Sequence, residues 1–289
     1  MKVLLTGRDG QLGWELMQSI PPHIELIGVN RSELDIGDTD AVLDCITHHQ
    51  PKVVINAAAY TAVDKAESDE QQASAVNSSG AHNLAMACKN FNARLLHIST
   101  DFVFDGAKTT PYQPDDAVNP LSVYGHTKLA GELAIQAQLN NFVIVRTAWV
   151  YSTHGNNFVK TMLRLMAEKP QLGVVADQVG TPTWAYGLAQ WLWAVIDKPE
   201  VSGVFHWTDA GVASWYDFAI AIQELALQNG LLKQTIPILP IPSSAYPTPA
   251  KRPSFSVMDK SSAEKTSGIA AVHWRKQLAK MLDTLANSH

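Results

Sequence analysis

The 289-residue chain sets 22 Lys and Arg against 27 Asp and Glu, a net charge of -5, with 46% hydrophobic residues. That content supplies a core for one large domain, or one domain with an appended lobe. With no long basic run, the charge balance excludes a nucleic-acid scaffold and a membrane-surface binder.

Cys45 and Cys88 are too few for a disulfide framework or a zinc site, and both read as small apolar residues in a reducing compartment. The first apolar run is too short for a signal peptide, and no run of about 18 apolar residues exists to span a bilayer. A cytoplasmic protein with no metal is expected.

Val3-Leu4-Leu5 is a continuous apolar run suited to a strand covered on both faces. It feeds Gly7-Arg8-Asp9-Gly10-Gln11-Leu12-Gly13, after which Trp14, Leu16, Met17 and Ile20 recur at helical spacing. Strand, glycine turn and helix together aim backbone N–H groups and a positive helix end at a diphosphate. The spacing is G-x-x-G-x-x-G, one step from the dinucleotide fingerprint, and a glycine-rich turn without a ligand is the alternative. The second strand, Glu25 to Val29, ends at Asn30-Arg31, where a carboxylate would hold the adenosine ribose of NAD. An amide followed by a cation tolerates a 2′-phosphate and so admits NADP; otherwise Arg31 is a solvated loop residue. Asp35-Ile36 falls under the expected adenine, and residues 40 to 50 read as a helix closed before Pro51.

Val53-Val54-Ile55 predicts a third strand, followed by Asn56-Ala57-Ala58-Ala59-Tyr60-Thr61, whose alanines leave room for a flat ligand or pack strand against helix. Ala73 to Phe91 reads as one amphipathic helix. Leu95 to Ile98 is a fourth strand delivering Ser99-Thr100-Asp101 to its carboxyl end, as a polar wall or as a turn and helix cap. Tyr124 and Lys128 then open an alanine-rich helix one turn apart, so phenol and ammonium share a face. A phenol with a pKa near ~10 beside a fixed positive charge is a tunable acid, although such pairs also occur by chance on surface helices. Phe142 to Val145 is a fifth strand. The alternation argues an α/β, Rossmann-like, doubly wound parallel sheet.

From Gly155 the texture changes. Asn156-Asn157-Phe158 starts a helix through Met166; Tyr186 to Ile196 is an apolar helix whose Trp191 and Trp193 suit core; Val204 to Trp207 reads as a strand. A helix from Trp215 to Leu227, a proline-rich extended stretch ending in Lys251-Arg252-Pro253, and a helix from Trp274 to Leu285 complete the chain. The expected division is a dinucleotide-binding domain at 1–154 and a smaller C-terminal substrate-binding lobe at 155–289, with the chain free to cross back. Arg252 is a candidate partner for an anionic group, or an ordinary surface arginine.

With the Gly7 turn, Ser99-Thr100-Asp101 and the Tyr124/Lys128 pair in this order, the chain resembles the extended short-chain dehydrogenase/reductases. More narrowly, Asn56 to Glu67, Ser99 to Gly106, Arg146 to Tyr151, Gly155 to Phe158 and Ala245 to Pro253 resemble the signature blocks of dTDP-4-dehydrorhamnose reductases. The resemblance implies reduction of the C4 ketone of dTDP-4-dehydro-L-rhamnose by NADPH or NADH. By matching position, Tyr124 is the acid, Lys128 holds the nicotinamide ribose and keeps the phenol acidic, and Thr100 bonds the same oxygen. Asp101, Trp149, Asn157 and Arg252 face the substrate. Gly7, Gly10, Gln11, Leu12, Gly13, Asn30, Arg31, Asp35, Ile36, Ala59, Tyr60 and Thr61, with Tyr124 and Lys128, take the cofactor.

The implied partner is a small nucleotide sugar, with neither nucleic acid nor membrane, for a monomer or homodimer. Some family members are thought to dimerise through a metal held by glutamates; Glu15 matches, but Tyr186 and Thr284 stand at the later positions and are poor ligands. The rival readings are an epimerase or dehydratase of the same superfamily and a non-catalytic dinucleotide-binding regulatory subunit.

Overall fold

The computed structural model describes residues 1–287. The first half alternates β1 (Lys2–Thr6), α1 (Gln11–Gln18), β2 (Glu25–Val29), α2 (Thr39–His49), β3 (Val53–Asn56), α3 (Val63–Ala66), α4 (Glu70–Ser74), α5 (Gly80–Asn90), β4 (Arg94–Thr100), α6 (Val123–Gln138) and β5 (Phe142–Thr147). The second half runs β6 (Val150–Tyr151), α7 (Phe158–Glu168), β7 (Leu172–Val175), β8 (Val179–Gly180), β9 (Thr183–Trp184), α8 (Ala185–Ile196), β10 (Gly203–His206), β11 (Ala213–Ser214), α9 (Trp215–Gln228), β12 (Ile238–Ile241), α10 (Ser261–Ser267) and α11 (Trp274–Ala286). Among the described residues no helix is long and apolar enough to cross a membrane.

Six strands form one parallel sheet in the order β10-β5-β4-β3-β1-β2. The central strands carry apolar runs because both faces are covered. Val3, Leu5, Val53, Ile55, Leu96, Val143 and Val145 pack under α1 and α8, while Leu4, Val54, Leu95 and Ile144 face α2, α5 and α6. Strand order reverses at β1, with β2 on one side and β3 on the other, and that reversal opens a crevice above the carboxyl ends. A separate core, built from α7, α9 and α11 around Phe218, Ile222, Met166 and Leu278, forms the lobe beside it. The chain crosses back into the sheet layer with α8 and β10, so Trp191 and Trp193 are core residues.

The single helix read over 73–91 is interrupted. A π turn, Ala75–Ser79, joins α4 to α5, and Asn77 within it is buried. Its Oδ1 accepts from Tyr60 N–H (2.9 Å), and its Nδ2 donates to Tyr60 O (3.1 Å) and Thr127 Oγ1 (3.1 Å). One buried amide thus ties the loop after β3 to α6. Asparagine favours such bonds over helix interiors, which is the sequence signal for the interruption.

Asp209 is a buried acid in the lobe, accepting from Trp184 N–H (3.0 Å), and burial pushes its pKa up to about 8. The folded chain therefore keeps a proton that the unfolded chain sheds near pH 4, so Asp209 costs stability increasingly as pH rises from about 4 to about 8. Asp209→Asn, which keeps an acceptor oxygen for Trp184, is expected to gain over the parent far more at pH 8 than at pH 5. Urea midpoints at the two pH values check this.

Candidate active site

The crevice at the β1/β3 reversal has two parts. Its first cavity, of about 500 Å³, is walled by Gly7, Gly10, Asn30, Arg31, Asp35 and the run Ala57 to Thr61. The glycines are required by close approach. Gly7 has φ +74°, and a Cβ there would lie 2.6 Å from the Ala58 nitrogen. Gly13 lies behind the turn, where helix meets loop, so it serves packing. Asn30 is anchored by its Nδ2 donating to Asp9 (2.9 Å), while its Oδ1 accepts from Ser32 and Glu33 N–H. Arg31 is exposed and without an ion pair among the described residues, available to an anion. Ile36 is placed differently from Asp35: its side chain is buried in the core against Gly80, not in the crevice wall.

The second part, about 600 Å³, is bounded by Gly10, Gln11 and Leu12 on one side and by Thr100, Asp101, Tyr124, Lys128, Trp149 and Asn157 on the other. Ser122 caps α6, its hydroxyl accepting from Gly125 N–H (3.2 Å), so the helix begins with Tyr124 facing the end of β4. The phenol lies edge-on to Phe102, while the Thr100 hydroxyl donates to Asp101 Oδ1 (3.1 Å) and accepts from Phe102 N–H (3.2 Å). One turn on, the Lys128 amine donates to Ile98 O (2.6 Å).

The electrostatics differ from the sequence expectation in one respect. Burial pushes the Tyr124 phenol up to about 12, with Thr100 lowering it and Asp101 raising it, and lowers Lys128 to about 8. Desolvation is the largest cause in both groups, and it makes the phenol a weaker acid than a free tyrosine while leaving it protonated at neutral pH. Asp101, buried, is raised to about 6, with Ser256 and Thr100 holding its carboxylate from going higher.

Beneath these groups, Glu132 on α6 and Arg146 on β5 form a buried pair, Nη2 to Oε2 at 2.7 Å and Nε to Oε1 at 3.0 Å, and Ser99 donates to the same carboxylate. The pair clamps α6 onto β4 and β5.

Trp149 adopts φ +49°, a left-handed conformation that favours glycine, and stacks on Trp215 at 3.6 Å between ring centroids. Strain held by stacking presents one ring face to the crevice. Asn157 caps α7 and donates to Gln11 Oε1 (3.0 Å), tying the lobe to the glycine turn. Arg252 lies in a further cavity with Trp215, Phe158 and Tyr246, and it is not a free cation: its guanidinium grips Asp64 in two hydrogen bonds of 2.9 and 2.8 Å. Glu15 is buried, its Oε1 accepting from Ser152 (2.7 Å) and Trp184 (3.0 Å). It clips α1 to the chain around β6 and β9. Asn77, Trp215 and Ser256 are site-shaping residues that pattern reading did not select.

The family model for the RmlD substrate binding domain matches residues 1–287. A dTDP-4-dehydrorhamnose reductase of Burkholderia thailandensis is 41% identical over 285 residues, covering 95% of this chain and 96% of its own. The chain belongs to the dTDP-4-dehydrorhamnose reductase family. Among solved structures, a family reductase from Clostridium acetobutylicum superposes with a TM-score of 0.93 at 43% identity, covering 99% of each chain. A second, from Bacillus anthracis and in complex with NADP, gives 0.92 at 33% identity over 97% of this chain and 98% of that one.

Proposed function

We propose that the protein reduces the C4 ketone of dTDP-4-dehydro-L-rhamnose to dTDP-L-rhamnose, a precursor of cell-surface polysaccharide, using NADPH or NADH. One observation carries the reading: two hydroxyls, Thr100 and Tyr124, and one amine, Lys128, converge beside a glycine-lined crevice in a chain that reductases match from end to end. The crevice fits a dinucleotide, since the space beside Gly7 and Ala58 is one that a Cβ would fill. When bound, the nicotinamide supplies a hydride to C4.

The chain's own groups then act on the oxygen at C4, where negative charge grows as the ketone is reduced. Tyr124, protonated at neutral pH as an ordinary phenol is, gives its proton to that oxygen, and Thr100, turning its hydroxyl from Asp101, donates a hydrogen bond to it. Lys128 holds the ribose and supplies positive charge beside the phenol. Both donors favour the alkoxide-like transition state over the neutral ketone, which is the condition for raising kcat. Asp101 accepts sugar hydroxyls, and Trp149 offers the sugar a flat apolar face. Gly10, Gln11 and Leu12 present the start of α1 to the diphosphate of the cofactor. The cavity beyond Trp149, walled by Trp215, Phe158 and Arg252, suits the nucleoside diphosphate of the substrate.

The deciding assay follows nicotinamide absorbance with dTDP-4-dehydro-L-rhamnose and with its UDP analogue. One oxidised cofactor per ketosugar is expected, with the dTDP sugar preferred. Turnover of the sugar with no net oxidation would instead mark an epimerase.

Two outcomes follow from the groups described. Turnover should fall above about pH 8 as Lys128 loses its proton, read from kcat across pH 6 to 10. Arg31→Asp should shift preference from NADPH toward NADH by replacing a cation with a carboxylate at the ribose end of the crevice. The ratio of kcat/KM for the two cofactors measures it, and an unchanged ratio would show that Arg31 does not read the 2′-phosphate.

A further inference from the structure

Behind Lys128 runs a buried file of polar groups. Thr6, ending β1, donates its hydroxyl to Asn56 Oδ1 (2.7 Å), and the Ala58 backbone N–H donates to the same oxygen (3.2 Å). A peptide N–H can only donate, so Asn56 Oδ1 is fixed as acceptor and its Nδ2 as the donor that faces His97 Nδ1 at 2.9 Å. His97 is 1% exposed, and burial, with Lys128 close by, holds its pKa well below the usual histidine value. A neutral imidazole that accepts at Nδ1 carries its one proton on Nε2. That nitrogen lies 3.4 Å from Lys128 Nζ.

Lys128 consequently meets an acceptor on one side, Ile98 O, and a donor on the other. An ammonium has no lone pair to offer His97, whereas the neutral amine has one. The other charged or titratable neighbours are Tyr124 and Glu132 on α6, Asp101 beyond β4, and Arg146 on β5, which neutralises Glu132. None of them supplies a second acceptor to the amine. Asn56 also begins the alanine run that lines the crevice, so the file joins the cofactor loop to the lysine.

We propose that His97, locked as the Nε2–H tautomer by Asn56, is a positioning residue that donates to the amine of Lys128 and so sets the pH above which the reductase loses activity. The proposal rests on the assignment of Lys128 made above. It makes the lysine's charge answer to the geometry of the Asn56 loop: the ammonium is favoured only when other acceptors, such as ribose hydroxyls, compensate for the facing donor.

The experiment compares kcat–pH profiles of the parent, Asn56→Asp, His97→Leu and His97→Gln with NADPH as cofactor, alongside long-range ¹H–¹⁵N spectra of the histidine rings. Asn56→Asp keeps the shape of the side chain but accepts from Nδ1–H, which turns a lone pair on Nε2 toward Lys128. His97→Leu removes the donor without adding charge. Both should move the alkaline limb upward by about one pH unit, a tenfold gain in proton affinity of the size one hydrogen bond gives. His97→Gln, whose amide N–H replaces Nε2–H, should keep the parental limb. The spectra should show Nε2–H in the parent and Nδ1–H in Asn56→Asp.

An Nδ1–H signal in the parent would overturn the proposal. A limb that moves in Asn56→Asp but not in His97→Leu would also overturn it, because the added carboxylate charge would then account for the shift. Parental kcat in Lys128→Met would overturn the Lys128 assignment, and the proposal with it, while leaving the tautomer spectrum intact, so the two failures are distinguishable.

Discussion

Replacing Tyr124 by phenylalanine is expected to lower kcat by about 10²–10⁴-fold, the usual worth of a positioned general acid, while NADPH affinity stays within about threefold. The asymmetry follows from where the hydroxyl sits. Tyr124 is almost wholly buried, with its ring against Phe102 and its Oη beside Thr100, so loss of one oxygen leaves the ring packing intact. The phenol carries its proton in the ground state, and the deletion removes an interaction that matters only as charge develops on substrate oxygen. Single-turnover rates with NADPH fluorescence titrations measure the two quantities separately. Parental turnover in the variant would remove Tyr124 from the mechanism.

The largest expected effect on stability is at Glu132. Glu132→Ala leaves the Arg146 guanidinium buried with no carboxylate, and breaking such a pair typically costs about 3–5 kcal/mol. Ser99 loses its acceptor in the same step. Since this clamp holds α6 against β4 and β5, the Tyr124/Lys128 face should also lose its fixed relation to Thr100. A lower urea midpoint and a reduced kcat at temperatures where the variant remains folded are the expected results, and an unchanged midpoint would show that the clamp is replaceable by packing.

The sheet was legible in the chain because each central strand is a short apolar run with both faces covered, as in Val3-Leu4-Leu5 and Val53-Val54-Ile55. The glycine turn and the Tyr124/Lys128 spacing were legible for a different reason: one depends on backbone approach and the other on helical period, and both are local. What escaped was non-local. Asp64 and Arg252 are 188 residues apart, so no pattern along the chain could show that Arg252 already has a carboxylate. The π turn at Asn77 depends on Tyr60 and Thr127 arriving beside one amide. The direction of the Tyr124 shift, upward where the sequence suggested a phenol made more acidic, depends on depth of burial, which sequence does not state. Ile36 follows Asp35 in sequence, yet its side chain goes into the core against Gly80 while Asp35 lines the crevice, a difference that depends on the fold of the loop.

The central claim is that one sugar oxygen meets two hydroxyls beside the crevice floor. A crystal structure of the protein with NADP⁺ and dTDP-L-rhamnose tests it most directly. The account predicts the C4 oxygen within hydrogen-bond reach, about 2.6–3.2 Å, of both Tyr124 Oη and Thr100 Oγ1, with Lys128 Nζ on the ribose. A complex in which the C4 oxygen points into solvent, or meets a different pair of donors while Tyr124 remains buried against Phe102, would contradict it.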